Sequence, residues 1–225
     1  MKIGVIGAGS WGTVLANLLS QKGNAVTLWA REPEVVSGIR NRRRNPFFMS
    51  SLELHPELAV SPDAMEVASA SDALLFAIPS VHLRSMANKL KAYLPAVSGI
   101  INAAKGFEPQ SGKRLSEILI EETGIEAGSG ADHVAVISGP NLAGEVAEGK
   151  IGATVVACPD ENWARQVQEM LSTDYFRAYR HTDRTGVELG GTLKNVFAIG
   201  AGIVDGLGLG DNAKAAYLTR SLHEL

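Results

Sequence analysis

Short apolar runs alternate with amphipathic stretches along most of this chain, and after Tyr179 the alternation stops. Runs of strand length stand at residues 3–6, 25–29, 73–78, 99–103, 134–137 and 153–157, each followed by turn residues or a helical i, i+3, i+4 pattern. Strand then helix, repeated, predicts a largely parallel sheet joined by crossover helices. Runs such as "ALLFAI", "HVAVI" and "ATVVA" lack polar alternation, as strands buried on both faces do.

From Arg184 onward the pattern holds no strand run and predicts two helices joined at "DGLGLGDN". The first is apolar on most sides and dotted with Gly190, Gly191, Gly200, Ala201 and Gly202, which weaken a helix but let neighbours pack close. Lys194 and Asp205 leave only residues 196–204 uninterrupted, short of the about 18 that a membrane span needs, so no span is expected. Residues 1–183 are therefore expected to form the sheet domain and 184–225 the opening of an all-helical second domain. The last residues, "SLHEL", lie inside a helical pattern, and the expectation is a truncated chain.

Composition narrows the class. A chain of 225 residues with 45% hydrophobic content can bury a full core, and a net charge of −3 argues against nucleic acid or an anionic membrane as the main partner. No charged and apolar leader precedes "KIGVIG", which makes the cytoplasm the expected location. Cys158 is the single cysteine, so no internal disulfide can form, and the five histidines show no metal-ligand spacing. No metal is expected.

The first strand runs into "GAGSWG", a Gly-x-Gly-x-x-Gly turn that opens a helix. In that setting the pattern is a dinucleotide fingerprint. Gly7 would make the tight turn, Gly9 would let the backbone approach a pyrophosphate, and Gly12 would allow helix and strand to pack closely. The helix starting near Ser10 would offer its free amides to the phosphates. The second strand ends "TLWAR", placing Arg31 where an NAD site usually carries an acid and pointing to the 2′-phosphate of NADP(H). Arg40, Arg42, Arg43 and Arg44 cluster downstream, where a solvated helix end is the simplest account.

Two lysines and one turn could do chemistry. Lys105 follows the strand "GIINAA" with Gly106 beside it, at the carboxyl end of the strand where open α/β sheets bind ligands. Lys194 lies within the apolar helix, either reaching out to solvent or serving a site. In "ISGPNLAGEVA", Gly139 and Asn141 could present amides to a ligand, or Asn141 could simply cap the helix that follows.

Together these residues resemble the bacterial-type NAD(P)-dependent glycerol-3-phosphate dehydrogenase family. The likeness runs through "GAGSWGT", "WAR", "AIPS", "AKGFEP", "ISGPNLAGEV", the long block "GVELGGTLKNVFAIGAGIVDGLGLGDNAKAA" and "TR". It implies a Rossmann-like doubly wound, mostly parallel α/β sheet followed by the first helices of an all-α second domain. It further implies an oxidoreductase that interconverts dihydroxyacetone phosphate and sn-glycerol 3-phosphate for glycerophospholipid synthesis, with NADP(H) preferred and NAD(H) accepted, and a homodimer. By the same resemblance Lys194 carries the proton and Lys105 touches both substrate and nicotinamide. Gly139, Asn141 and Asn195 match substrate positions, and Ser10, Trp11, Arg31 and Ala143 match cofactor positions.

On the chemistry of ketone reduction, a lysine ammonium beside the oxygen would stabilise its charge and supply the proton. Burial and a second ammonium nearby are expected to lower the pKa of Lys194 so that it also serves as a base. The sequence departs from the family at Glu32, where a further basic residue is frequent, and at "FFMSS", where Tyr-Leu-Pro-Gly is common. The family's later Asp and Ser-Arg-Asn run fall beyond Leu225, so the chain as written is expected to bind cofactor but turn substrate over poorly. Alternative readings are a ketopantoate reductase-like enzyme and a non-catalytic NADP(H)-sensing domain.

Overall fold

The computed structural model describes residues 1–94, 97–124 and 132–224. Strands β1 (Lys2–Ile6), β2 (Ala25–Trp29), β3 (Ala59–Ser61), β4 (Ala73–Phe76), β5 (Gly99–Asn102), β6 (Val134–Ser138), β7 (Gly152–Ala157) and β8 (Phe176–His181) form one sheet in the order β3-β2-β1-β4-β5-β6-β7-β8. All neighbours pair in parallel except β6 and β7. The order reverses between β1 and β4, and at such a switch point the crossovers leave a crevice at the carboxyl ends of the strands. This is the largely parallel sheet expected from the alternation, in the doubly wound, Rossmann-like order that the resemblance implies.

Adjacent residues on each central strand point to opposite faces, and both faces are covered. Ile3, Val5, Leu75, Ile101 and Ile137 belong to one core with Leu15 and Leu19 of α1 (Ser10–Gln21), Val35 and Ile39 of α2 (Pro33–Arg42), and Trp163 and Val167 of α7 (Glu161–Leu171). Ile6, Leu74, Phe76 and Ile100 belong to the other, with Val67 of α3 (Ala64–Ser69), Leu83 and Leu90 of α4 (Leu83–Leu90), and Leu115 and Leu119 of α5 (Leu115–Thr123). A short helix α6 (Ala143–Ala147) follows β6.

The apolar runs did not foreshadow β3 and β8. β3 has three residues, and β8, "FRAYRH", sits at the sheet edge with Arg177, Tyr179, Arg180 and His181 exposed, so burial imposes no apolar run on it. Of the arginine cluster, Arg42 is exposed in the last turn of α2, as a solvated helix end would have it, and the other three differ. Arg43 donates to the carbonyls of His55 and Leu58, Arg40 to Val60 and Arg44 to Ser50 and Ser51, so these side chains clamp β3 and the segment between α2 and β3.

Helix α8 (Arg184–Gly206) and helix α9 (Gly210–Glu224) complete the order. α8 is rooted in the sheet domain: Arg184 donates bidentately to buried Asp132 at 2.6 and 2.9 Å and to the Val134 carbonyl at 2.8 Å. The buried Glu188 carboxylate accepts from the Ser116 amide and hydroxyl at the start of α5. Past Gly191, its apolar residues Val196, Ile199 and Ile203 are exposed, contrary to the packed helix that its composition suggests. Its small-residue face does serve close approach at Gly200, where a Cβ would collide with the Tyr217 ring of α9.

By length and composition α8 is apolar enough to cross a membrane, with a mean hydropathy of 1.2 over its best 18-residue window, 11% of it buried. The interruption at Lys194 therefore does not by itself exclude a span on this measure. Every such window nonetheless contains Lys194, and the first two turns are committed to Asp132 and Ser116.

Candidate active site

The glycine turn follows β1 directly. Gly7 has φ +121°, and a Cβ there would stand 2.5 Å from the Ala77 carbonyl oxygen, so neither its conformation nor the approach of the chain after β4 tolerates a side chain. At Gly12 a Cβ would run into the Gly7 carbonyl. Gly9 is different, since its Cβ position opens on empty space and it serves as the N-cap of α1 with no side chain capping the helix. The first amides of α1 thus remain uncapped beside an open approach, which fits a pyrophosphate.

Ser10 and Trp11 begin α1. The Ser10 hydroxyl donates to the Phe48 carbonyl, and the half-buried Trp11 ring meets Phe176 edge-on at 6.1 Å. The "FFMSS" segment is brought there by Asn45, a fully buried residue that no local signal marked. Its Nδ2 donates to the Ala8 carbonyl and to Thr13 Oγ1, both at 2.8 Å, while its Oδ1 accepts from the Phe47 and Phe48 amides. Ala8 and Thr13 lie more than thirty positions from Asn45 in sequence, which is why spacing could not show the role.

Arg31 stands two residues past β2 on the same side of the sheet, exposed, with Nε and Nη2 both donating to Glu32 Oε1 at 3.1 and 2.9 Å. The neighbouring acid therefore occupies the guanidinium that would meet a 2′-phosphate.

The chemical groups collect farther along the crevice. Asn102 at the end of β5 holds the next turn through its side chain, accepting from the Ala104 amide and donating to the Ala104 carbonyl. That turn carries Lys105 and then Gly106, whose φ of +123° is the left-handed geometry glycine tolerates. Lys105 Nζ donates to the Gly139 carbonyl at 2.9 Å. Gly139 has no room for a side chain, because a Cβ would lie 2.6 Å from the Ala153 carbonyl oxygen of β7. Burial, and after it the Lys194 charge, lowers the Lys105 pKa to about 8. The expectation placed burial on Lys194. The structure places it on Lys105, because Lys105 lies in the crevice whereas Lys194 and Asn195 are exposed on α8.

Asn141 does not cap α6, whose N-cap is Leu142. Its Nδ2 donates to Thr154 Oγ1 at 3.1 Å, and Thr154 Oγ1 donates on to the Ser138 carbonyl. The chain of donors leaves buried Asn141 Oδ1 with no hydrogen-bond partner among the described residues. An orphaned buried acceptor costs free energy unless a ligand or water donates to it. Ala143 is half-buried in the first turn of α6. Lys105, Gly139 and Lys194 are thus brought together, with Asn141 two residues past Gly139, while Arg31 stands apart just past β2.

Comparison with known proteins agrees with this layout. The model of the NAD-dependent glycerol-3-phosphate dehydrogenase N-terminus matches residues 2–164, and that of the C-terminus matches residues 183–225. The protein named glycerol-3-phosphate dehydrogenase (NAD(P)+) of Syntrophotalea carbinolica is 47% identical over 225 residues, covering 100% of this chain and 67% of that protein. Its namesake from Corynebacterium glutamicum strain R is 43% identical with the same coverage. This chain therefore spans about two thirds of the length of these relatives. Among solved structures, glycerol-3-phosphate dehydrogenase from Coxiella burnetii aligns with a TM-score of 0.87 at 35% identity, covering 99% of this chain and 66% of that one. The enzyme from Saccharomyces cerevisiae aligns with a TM-score of 0.87 at 30% identity, covering 100% of this chain and 68% of that one. With both family models matched across nearly the whole sequence, this chain belongs to the NAD-dependent glycerol-3-phosphate dehydrogenase family.

Proposed function

We propose that this chain is an oxidoreductase that interconverts dihydroxyacetone phosphate and sn-glycerol 3-phosphate, using NADP(H) in preference to NAD(H) and feeding glycerophospholipid synthesis. The observation that carries the reading is the meeting of Lys105 and Lys194 beside the Gly139 carbonyl, next to the turn that holds the orphaned Asn141 Oδ1. A ketopantoate reductase-like enzyme and a nucleotide sensor are disfavoured by the family match.

Gly7, Gly9 and Gly12, with the amides of Ser10 and Trp11, would hold the pyrophosphate, Arg31 the 2′-phosphate, and Ala143 and Lys105 the nicotinamide end. The bound nicotinamide supplies the hydride. Lys194 gives a proton to the ketone oxygen as charge builds there, and takes it back in alcohol oxidation. Lys105, fixed to Gly139, adds a second positive field on that oxygen. Asn141 Oδ1 can only accept, which suits a substrate hydroxyl, and Asn195 lies next to Lys194 to hold the substrate. Residues 1–183 serve the cofactor and 184–225 open the substrate domain. A cytoplasmic location and a homodimer complete the reading.

The test is calorimetric titration of the chain with NADPH and NADH, followed by turnover with dihydroxyacetone phosphate in a chain extended to the full length of its relatives. NADPH should bind the more tightly, and Lys194→Ala should lower turnover at least about a hundredfold without loss of NADPH binding. Binding of neither nucleotide, or near-normal turnover in Lys194→Ala, would overturn the reading.

A further inference from the structure

The geometry points to Thr192 as a positioning residue that ties the turn carrying Lys105 to the helix carrying Lys194. Its Oγ1 accepts from the Gly106 amide at 3.2 Å and donates to the Glu188 carbonyl one helical turn back at 2.9 Å. One hydroxyl thereby joins residues 86 positions apart in sequence. The inference rests on the proposed function for its consequence, though the tie itself is a matter of geometry.

Four contacts run in sequence along the start of α8. Arg184 grips Asp132, and Glu188 grips Ser116. Gly191 lets the helix lie against Ser138, because a Cβ there would collide with the Ser138 hydroxyl. Glu188, Gly191 and Thr192, at i, i+3 and i+4, present one helical face to the sheet domain. The first three contacts fix the helix to α5 and to the β6 strand with the segment before it. None of them reaches the Lys105 turn. Thr192 is the contact that does, and beyond it α8 leaves the sheet domain, with Leu193 and Val196 exposed.

The turn needs such a tie. Gly106 sits at φ +123°, a conformation that costs glycine nothing and therefore holds no preference of its own. On its near side the turn is shaped by Asn102, and on its far side Glu108 is held by Arg84 at 2.6 Å. Between them the Gly106 amide has Thr192 as its acceptor, and this bond, together with that of Lys105 to the Gly139 carbonyl, sets the spacing of the two lysines. Released, the turn can draw Lys105 out of the crevice and away from the Lys194 charge. Both effects would restore its ordinary basicity.

The experiment is pulse acylation of lysines across a pH series in the 225-residue chain, with Lys105 followed by peptide mass spectrometry. Wild type should give a labelling midpoint near pH 8. Thr192→Val keeps the shape and removes the hydroxyl, and should raise the midpoint toward the ordinary lysine value of about 10.4. At pH 8 a rise of one unit lowers the neutral fraction, and so the labelling rate, about fivefold. Thr192→Ser restores the hydroxyl and should restore the midpoint, which a merely space-filling role would not do. Should the Val chain fail to fold, Thr192→Ala against Thr192→Ser makes the same comparison. An unchanged midpoint in the Val or Ala chain, or a Ser chain displaced as far as they are, overturns the tie. Loss of the tie with NADPH binding intact would leave the proposed function standing. A low Lys105 midpoint in a chain that binds neither NADPH nor NADH would sink the function and leave the tie.

Discussion

Lys105 Nζ donates to the Gly139 carbonyl across 2.9 Å, bridging the turn after β5 to the end of β6. The bridge holds an ammonium in a part-buried crevice beside a second one, and its pKa falls to about 8 from an unfolded value of 10.5. Below pH 8 both folded and unfolded chains carry the proton, and folding bears the full cost of that placement. Between pH 8 and 10.5 the unfolded chain holds more protons, so this group makes stability rise with pH. Urea unfolding of wild type and Lys105→Met should therefore give a difference that moves in favour of wild type across this window. A difference flat with pH would show that Lys105 is not perturbed.

Two of the fingerprint glycines, Gly12 and Gly9, should separate by experiment. Gly12→Ala drives a methyl into the Gly7 carbonyl and should cost about 1–3 kcal/mol or more, as overpacking does. Gly9→Ala places its methyl in open space and should unfold close to wild type, yet lose NADPH affinity about tenfold because it blocks the pyrophosphate approach. Thermal scans and calorimetry on both chains check this. A strongly destabilised Gly9→Ala, or one that binds normally, would contradict it.

Arg31 and Glu32 should act in opposition on the choice of cofactor. Glu32 engages both Nε and Nη2 of Arg31, so a 2′-phosphate must compete with a carboxylate already in place. Glu32→Gln should tighten NADPH by about tenfold and leave NADH equal or weaker, whereas Arg31→Ala should weaken NADPH more than NADH. Titrations with both nucleotides decide the matter, and equal effects on the two would remove Arg31 from the 2′-phosphate site.

The anchor of α8 should be costly to break. Arg184 makes two bonds to a carboxylate that is 1% exposed, and Arg184→Met takes the guanidinium from a buried charge. A loss of about 3–5 kcal/mol in urea unfolding is expected. A loss below about 1 kcal/mol, the value of a surface pair, would mean that solvent reaches the carboxylate.

Much of this protein is written locally. The central strands announce themselves because a parallel sheet covered on both faces admits little but apolar side chains, and the fingerprint shows because its glycines answer to backbone constraints within a few residues. Lys105 and Lys194 could be singled out, each being a charge in an apolar setting. What the sequence could not decide is which of them burial would act on, that Asn45 would seat the "FFMSS" segment, that Asn141 would turn to Thr154 rather than cap α6, or that Glu32 would hold Arg31. β8 escaped notice because an exposed edge needs no apolar signature. These outcomes belong to the tertiary structure: apart from the Glu32 pair they depend on partners brought together from distant parts of the chain, and on how much water each place retains.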